Sequence, residues 1–274
     1  MFKIIIMALL IFIGMVGYDN ITDKAQPTTP VQQEQQKVSK HEKSAAMALF
    51  TSLLPPKEEW PSPVHKFYLA FNMDEVIDPI RQNPNWTNLD AMSRDIPQAL
   101  IAIEDHAFYN HGAIAVEGIL RAALANINAG EVVQGGSTLT QQFVKNVFLS
   151  HEQSMERKIE EAVLSLMLED NYSKDEILEL YLNTTYFGAG STGIKQASRT
   201  YFGKAPSALT LAEAAVIASL PYAPTGLNPL ENPEGCKKRQ LLVLAAMHKY
   251  GMINQGQLAE AKAEKIRLTN GTVM

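Results

Sequence analysis

The chain has a single cysteine, Cys236, in 274 residues, which rules out an intrachain disulfide and any cysteine-built zinc or iron–sulfur site. It also lacks a strong charge of either sign. Its 24 Lys and Arg against 29 Asp and Glu leave −5, so there is no bulk basic balance with which to grip nucleic acid. An anionic ligand would have to meet a local cluster of Lys and Arg. Fourteen prolines and sixteen glycines are too few for a collagen-like or wholly disordered chain. No alternating apolar run is long enough to promise a sheet, and no internal repeat is visible. No glycine-rich stretch has the Walker A order of glycine, lysine and hydroxyl, which excludes the common nucleoside triphosphate site. What is present is 46% hydrophobic residues, enough for a sizeable core.

The amino end is apolar. Ile4 to Tyr18 is a run of 15 residues without a charge, reaching roughly 22 Å as a helix against a hydrocarbon core of about 30 Å. Met15, Val16, Gly17 and Tyr18 make a poor cleavage site. An uncleaved anchor is therefore expected over 1–18, ahead of a cleaved signal, and a merely buried segment is third. Residues 19–44 include a glutamine-rich stretch from Lys24 to Lys40 that lacks the apolar content to fold and reads as a tether. Over 45–94, Pro55, Pro56, Pro61, Pro63, Pro79 and Pro84 punctuate what reads as an extended, irregular lead-in.

From Asp95 the pattern is one of successive capped helices. Pro97 suits a first turn, and Ile96, Leu100 and Ile103 share a face of a helix closing near Glu104. Val116, Ile119, Leu120, Ala123, Leu124 and Ile127 predict the next helix, stopping at Gly130. Thr138–Gln141, Ser150–Gln153, Ser173–Glu176 and Thr210–Glu213 each match a capping box, in which side chain and backbone satisfy each other's free donors. Ile159, Ala162, Val163, Leu166 and Met167 stripe the helix after Ser154, which places Ile159 in the core and Arg157 and Glu161 on another face. The fold class expected is mostly α.

Three polar patches fall at helix ends. In the first, Glu104 and Asp105 close an apolar helix, where the dipole disfavours a carboxylate by roughly 0.3 to 1 kcal/mol. Such placement tends to raise a carboxylate's pKa, as a general base needs. In the second, Gly135 and Gly136 precede Ser137, Thr138, Gln141, Gln142, Lys145 and Asn146, leaving backbone N–H groups free for an anion at a helix start. The third sets Arg157, Lys158 and Glu161 along one helix. Taken singly, these read as an acidic turn, a tight turn before a cap, and a surface ion pair.

Together they resemble the peptidoglycan glycosyltransferases, the polymerase module of class A penicillin-binding proteins and of monofunctional transglycosylases. The resemblance runs from about Ile96 to Met252. It rests on E-D-x-x-F-x-x-H at Glu104–His111, G-G-S-T-x-x-Q-Q-x-x-K-N at Gly135–Asn146 and R-K-x-x-E at Arg157–Glu161. SKDEILELYLN at Ser173–Asn183, YFG at Tyr186–Gly188, YFGK at Tyr201–Lys204 and LTLAEAAVIASLPYAP at Leu209–Pro224 continue it. Two departures stand out: where members commonly read H-x-G-x-D this chain has His111, Gly112, Ala113, Ile114 and Ala115, and an arginine often found near Gln153 is absent.

The resemblance implies a lysozyme-like helical glycosyltransferase domain over 95–267, with a small membrane-associated jaw lobe, an N-terminal membrane anchor and a 268–274 tail. It implies a lipid-linked disaccharide-peptide (lipid II) substrate, a growing glycan strand, release of polyprenyl pyrophosphate, and a place on the outer face of the cytoplasmic membrane. Glu104 would be the general base, supported by Asp105. Lys145, Arg157 and Lys158 would neutralise the pyrophosphate, and Glu161 would either hold Arg157 or Lys158 or share a divalent cation, Mg or Mn, with the phosphates. Ser137, Thr138, Gln141, Gln142, Asn146 and Asn183 would offer neutral donors to the sugar, with Phe108 and Tyr181 as wall. No S-x-x-K with K-T-G partner occurs in the 274 residues, so a chain without transpeptidase activity is expected. The alternatives are a lysozyme-like lytic hydrolase, which leaves the cations without an anion to meet, and a non-catalytic lipid-binding partner in wall synthesis.

Overall fold

The computed structural model of the chain describes residues 68–69, 72–115, 118, 136–149 and 154–274. The anchor, the tether, most of the lead-in, the helix expected over Val116–Gly130 and the capping box at Ser150–Gln153 lie outside the described residues. The chain divides into two compact units, residues 1–79 and 80–274. At their junction in sequence, α1 (Asp74–Arg81) is helical with Pro79 inside it, where an extended segment was expected. Proline removes one interior hydrogen bond, to the carbonyl four residues back. In so short a helix, with Asp74 and Glu75 in its first turn and Arg81 in its last, that loss is confined to one bond and the dipole is well matched.

The second unit is helical, and its local signals are those that the sequence carries. α2 (Asp95–Glu104) buries Ile96, Ala99, Leu100, Ile101 and Ala102. α3 (Leu139–Phe148), α5 (Lys174–Thr184) and α7 (Leu211–Ser219) begin at complete capping boxes, Thr138 with Gln141, Ser173 with Glu176 and Thr210 with Glu213. α9 (Gln255–Ala263) has a fourth, Asn254 with Gln257; a search for hydroxyl caps passes over it, although the Asn carbonyl oxygen accepts the same bond. α4 (Met155–Asn171), α6 (Ile194–Phe202) and α8 (Pro233–Lys249) complete the set. The described residues contain no strand, only two isolated bridges, Tyr186 with Thr192 and Arg267 with Val273.

α7 is buried from Ala212 to Ser219, as a helix apolar on nearly all sides must be, and it packs against α2 and α8. A second group forms where α3 packs on α4 and α5. The YFGK element serves the first group: the Lys204 ammonium donates at 2.7 Å to Glu213, which is 3% exposed. In the YFG element Gly188 has φ +86°, and a Cβ there would collide with the Pro224 carbonyl oxygen, so only glycine fits. The carboxyl-terminal residues fold back, Ile266 and Met274 exchanging backbone bonds at 3.0 and 2.8 Å while Thr269 N–H donates to Tyr201 O at 3.0 Å.

Candidate active site

Glu104 is the last residue of α2, the end where its backbone carbonyls point. It is part-buried, and Gln142 of α3 donates from Nε2 to its Oε2 at 3.1 Å. The other end of that amide is fixed as well, since the Tyr181 hydroxyl of α5 donates to Gln142 Oε1 at 3.0 Å. A carboxylate accepts only, so the amide nitrogen must face Glu104 and its oxygen must face Tyr181. Tyr181 is 1% exposed. The chain Tyr181, Gln142, Glu104 therefore runs from the core of the second helix group to the tip of α2.

Burial raises the Glu104 pKa above the ordinary carboxylate value, and the neighbouring Asp105 charge adds to the rise. The Gln142 bond and the charges of Arg239 and Lys145 oppose it. The direction is the one expected at a helix end, but its main cause is burial, and a carboxylate displaced in that direction is a better proton acceptor. Lys145, exposed on α3 with Asn146, is thus brought to Glu104. So is Arg239 of α8, which the sequence reading missed. The signal was there: Cys236, Gln240, Val243 and Leu244 form the buried stripe of α8, and Arg239 sits one position off it.

Asp105 is fully engaged in holding the backbone. Its Oδ1 meets His111 Nε2 at 2.6 Å, and its Oδ2 accepts from Leu139 N–H at 3.0 Å, the first residue of α3. His111 Nδ1 meets the Gly112 carbonyl at 2.6 Å. Both ring nitrogens face oxygen acceptors, so the ring suits the doubly protonated form. Burial alone would lower the His111 pKa, but the bonds to Asp105 and to Gly112 O carry it upward. This clasp joins the end of α2 to the start of α3 and holds an Asp that the resemblance had placed against substrate.

Other expected donors are likewise engaged. Thr138 and Gln141 are buried and cap α3, and Thr138 Oγ1 also donates to Ala113 O at 2.8 Å. Asn183 donates to Thr87 O at 2.9 Å and to Glu179 O at 2.8 Å, and accepts from Thr87 N–H at 2.9 Å, so its amide ties a loop to α5. Phe108 is fully buried in the core, with the Lys174 ammonium 4.4 Å from its ring centroid.

The buried face of α4 keeps Met167 of the expected stripe but not Ile159, and it includes Glu161, which was expected on another face. Ile159 is 57% exposed and Glu161 is 1% exposed. Glu161 and Ser165 stand one turn apart, with Leu168 one further turn along, and all three are buried. α4 packs on α3 through that face, so the partner helix, and not the local apolar stripe, decides which residues turn inward. Lys158 reaches both Glu161 Oε1 and, at 3.1 Å, Ser137 Oγ. Of the two partners considered for Glu161, Lys158 is the one in place. Arg157 makes no ion pair among the described residues, and its Nε is buried without a hydrogen-bond partner. Glu161 binds Lys158, and no group of three His, Cys, Asp or Glu that could hold a metal ion exists among the described residues.

A cavity of about 730 Å³ lies along α2, lined by Asn88, Arg94, Ile101, Tyr109, Asp175 and Glu179 among others. Its lining contains none of the catalytic or substrate-binding residues expected from the sequence.

The helices define a class: a carboxylate at the end of a buried helix, braced by an amide and faced by cations, in a unit whose described residues form helices and no strand. The chain belongs to the transglycosylase family, whose family model matches residues 73–248. A protein of Cupriavidus necator named as a transglycosylase is 41% identical over 194 residues, covering 71% of this chain and 84% of that one. Penicillin-binding protein 1A of Neisseria flavescens is 44% identical over 185 residues, 68% of this chain and 23% of its own length. Penicillin-binding protein 2D of Bacillus subtilis is 45% identical over 181 residues, 66% of this chain and 26% of its own. The chain thus spans about a quarter of the penicillin-binding proteins that it matches. No helix among the described residues is long and apolar enough to cross a membrane.

Proposed function

We propose that the chain polymerises lipid II into glycan strands by inverting glycosyl transfer, with Glu104 as the general base and polyprenyl pyrophosphate as the leaving group. The observation that carries this is the braced, part-buried Glu104 with its raised pKa beside Lys145. A sugar hydroxyl is a poor nucleophile at pH 7, and a positioned carboxylate that takes its proton contributes typically about 10² to 10⁴ in rate. A pyrophosphate leaving group needs its charge neutralised, and cations aimed at the developing charge supply this. Lys145, Arg157 and Lys158 fill that role, Arg157 with a guanidinium that no carboxylate among the described residues occupies. Glu161 fixes Lys158 from behind, and a protein-held Mg or Mn is no part of the reading. We place the reaction at the outer face of the cytoplasmic membrane, with the apolar 1–18 segment as anchor and a jaw lobe that enters the bilayer. No transpeptidase step is assigned to these 274 residues.

The test is to supply purified lipid II to the full chain and to follow chain length and released polyprenyl pyrophosphate. Wild type should polymerise, and Glu104→Gln should lose at least about 10²-fold. Hydrolysis of preformed glycan would favour the lytic reading, binding without turnover would favour the non-catalytic one, and full activity in Glu104→Gln would overturn the base assignment.

A further inference from the structure

Arg239 is the charged residue at this site that the reading above leaves without a task. It stands on α8, which packs against both α2 and α7. Its guanidinium carbon lies 4.1 Å from the centroid of the Tyr222 ring, well inside the range in which a cation is held by an aromatic face. Tyr222 itself is 65% exposed, and Arg239 lies over its ring. The Arg239 Nε is buried and has no hydrogen-bond partner. An unpaired buried donor costs stability, and an orphan of this kind in a folded protein calls for an explanation. No carboxylate forms an ion pair with Arg239 among the described residues, yet its charge acts on Glu104.

We propose that Arg239, clamped on the Tyr222 ring where α8 packs on α2, is a positioning residue for Glu104, a fixed cation that favours the base. This rests on the reading of Glu104 as the base. The groups that face Glu104 are Asp105 beside it, Lys145 and Gln142 of α3, Tyr181 of α5 and Arg239 of α8. Lys145 is exposed and assigned to the leaving group, so its charge is drawn away as the pyrophosphate binds. Arg239 is the cation that remains. The ring clamp explains how it stays in place with no acid partner, and the orphan Nε is the accompanying cost.

Removing this cation makes ionised Glu104 harder to form, so the acid limb of the rate profile must move to higher pH. The experiment compares wild type, R239M, R239K and Y222A in lipid II polymerisation across pH. In R239M, kcat/KM on the acid side should fall about tenfold, the effect of one lost charge interaction of ordinary size, and should recover as pH rises. R239K keeps the charge and should restore most of the acid limb; Y222A should shift it as R239M does, by less. Because Arg239 satisfies no buried acceptor, R239M should melt no lower than wild type. An unmoved acid limb in R239M, or a melting loss that accounts for the activity loss at every pH, overturns the proposal. Carbon-13 titration of Glu104 in the same proteins separates this from the parent reading. A Glu104 resonance that titrates higher in R239M supports the proposal even if wild type fails to polymerise lipid II, and an unmoved resonance defeats it whatever the reaction is.

Discussion

Glu104→Gln should abolish transfer and make the protein more stable, and the gain should depend on pH. Burial raises the folded-state pKa of Glu104 above its unfolded value. Between those two values the folded state holds a proton that the unfolded state has lost, so stability falls as pH rises through that window. Above it, the full cost of an ionised carboxylate in this setting is present. Gln cannot ionise and escapes the cost, and its amide oxygen still accepts from Gln142 Nε2, so the chain to Tyr181 survives. What Gln loses is attraction to Arg239 and Lys145, which is already counted in the net upward displacement. Each unit of displacement is worth about 1.4 kcal/mol, and stabilising changes at strained functional sites commonly give about 0.5 to 2 kcal/mol. At about 2 to 4 °C per kcal/mol for a unit of this size, a Tm gain of roughly 1 to 8 °C is expected near pH 7. Below the ordinary carboxylate range, where Glu104 is protonated in both states, the gain should shrink towards zero. Melting curves of both proteins at acid and neutral pH read this directly. A Glu104→Gln protein that melts lower at pH 7, or gains equally at all pH values, would refute the reasoning.

Three other outcomes follow from particular contacts. Lys158→Met leaves Glu161, 1% exposed, without its cation; because the Lys158 side chain is 45% exposed, water offsets part of the loss and about 1 to 2 kcal/mol is expected. Adding Glu161→Leu should recover most of it, and a strictly additive double variant in denaturant melts would mean that the two residues are not coupled. Gly188→Ala, at φ +86° and against the Pro224 carbonyl, should cost about 1 to 3 kcal/mol; a neutral result would show that this turn can relax. For His111, whose folded pKa is raised, the stability contributed is complete below the unfolded value and is lost as pH rises through the folded one. Wild type should therefore lose Tm over that window while His111→Gln does not, and parallel curves would show that the clasp carries no net charge interaction.

How much of this was legible in sequence depends on how local the cause is. The Asp95–Glu104 helix and three capping boxes were readable because a cap and its partner lie three residues apart, and the bond is made wherever the helix later docks. The inward face of α4 was not readable, because Ile159 and Glu161 compete for it through what α3 presents. The role of Arg239 was invisible for a similar reason: it depends on Tyr222, in the turn after α7, and on Glu104, 135 positions earlier by the residue numbers. The motif elements that carried the resemblance include the proposed base, Glu104, and the cations Lys145, Arg157 and Lys158. They also carried residues whose work is done on backbone.

That mixture has a physical logic. Glu104 ends α2, whereas Gln142 and Lys145 lie on α3, so the geometry of the base is set by how the two helices are joined and not by either alone. Asp105 binds the first N–H of α3, His111 holds Asp105, and Thr138 with Gln141 closes the same helix end. These are hydrogen bonds to groups that would otherwise be orphaned at a helix start, so each fixes the register of α3 against the end of α2. The first two motif elements thus form one mechanical unit with chemistry on one side. A substitution at Asp105 should therefore act on catalysis through the Glu104 to Gln142 bond, moving kcat and the acid limb together while leaving the cations that meet the pyrophosphate in place.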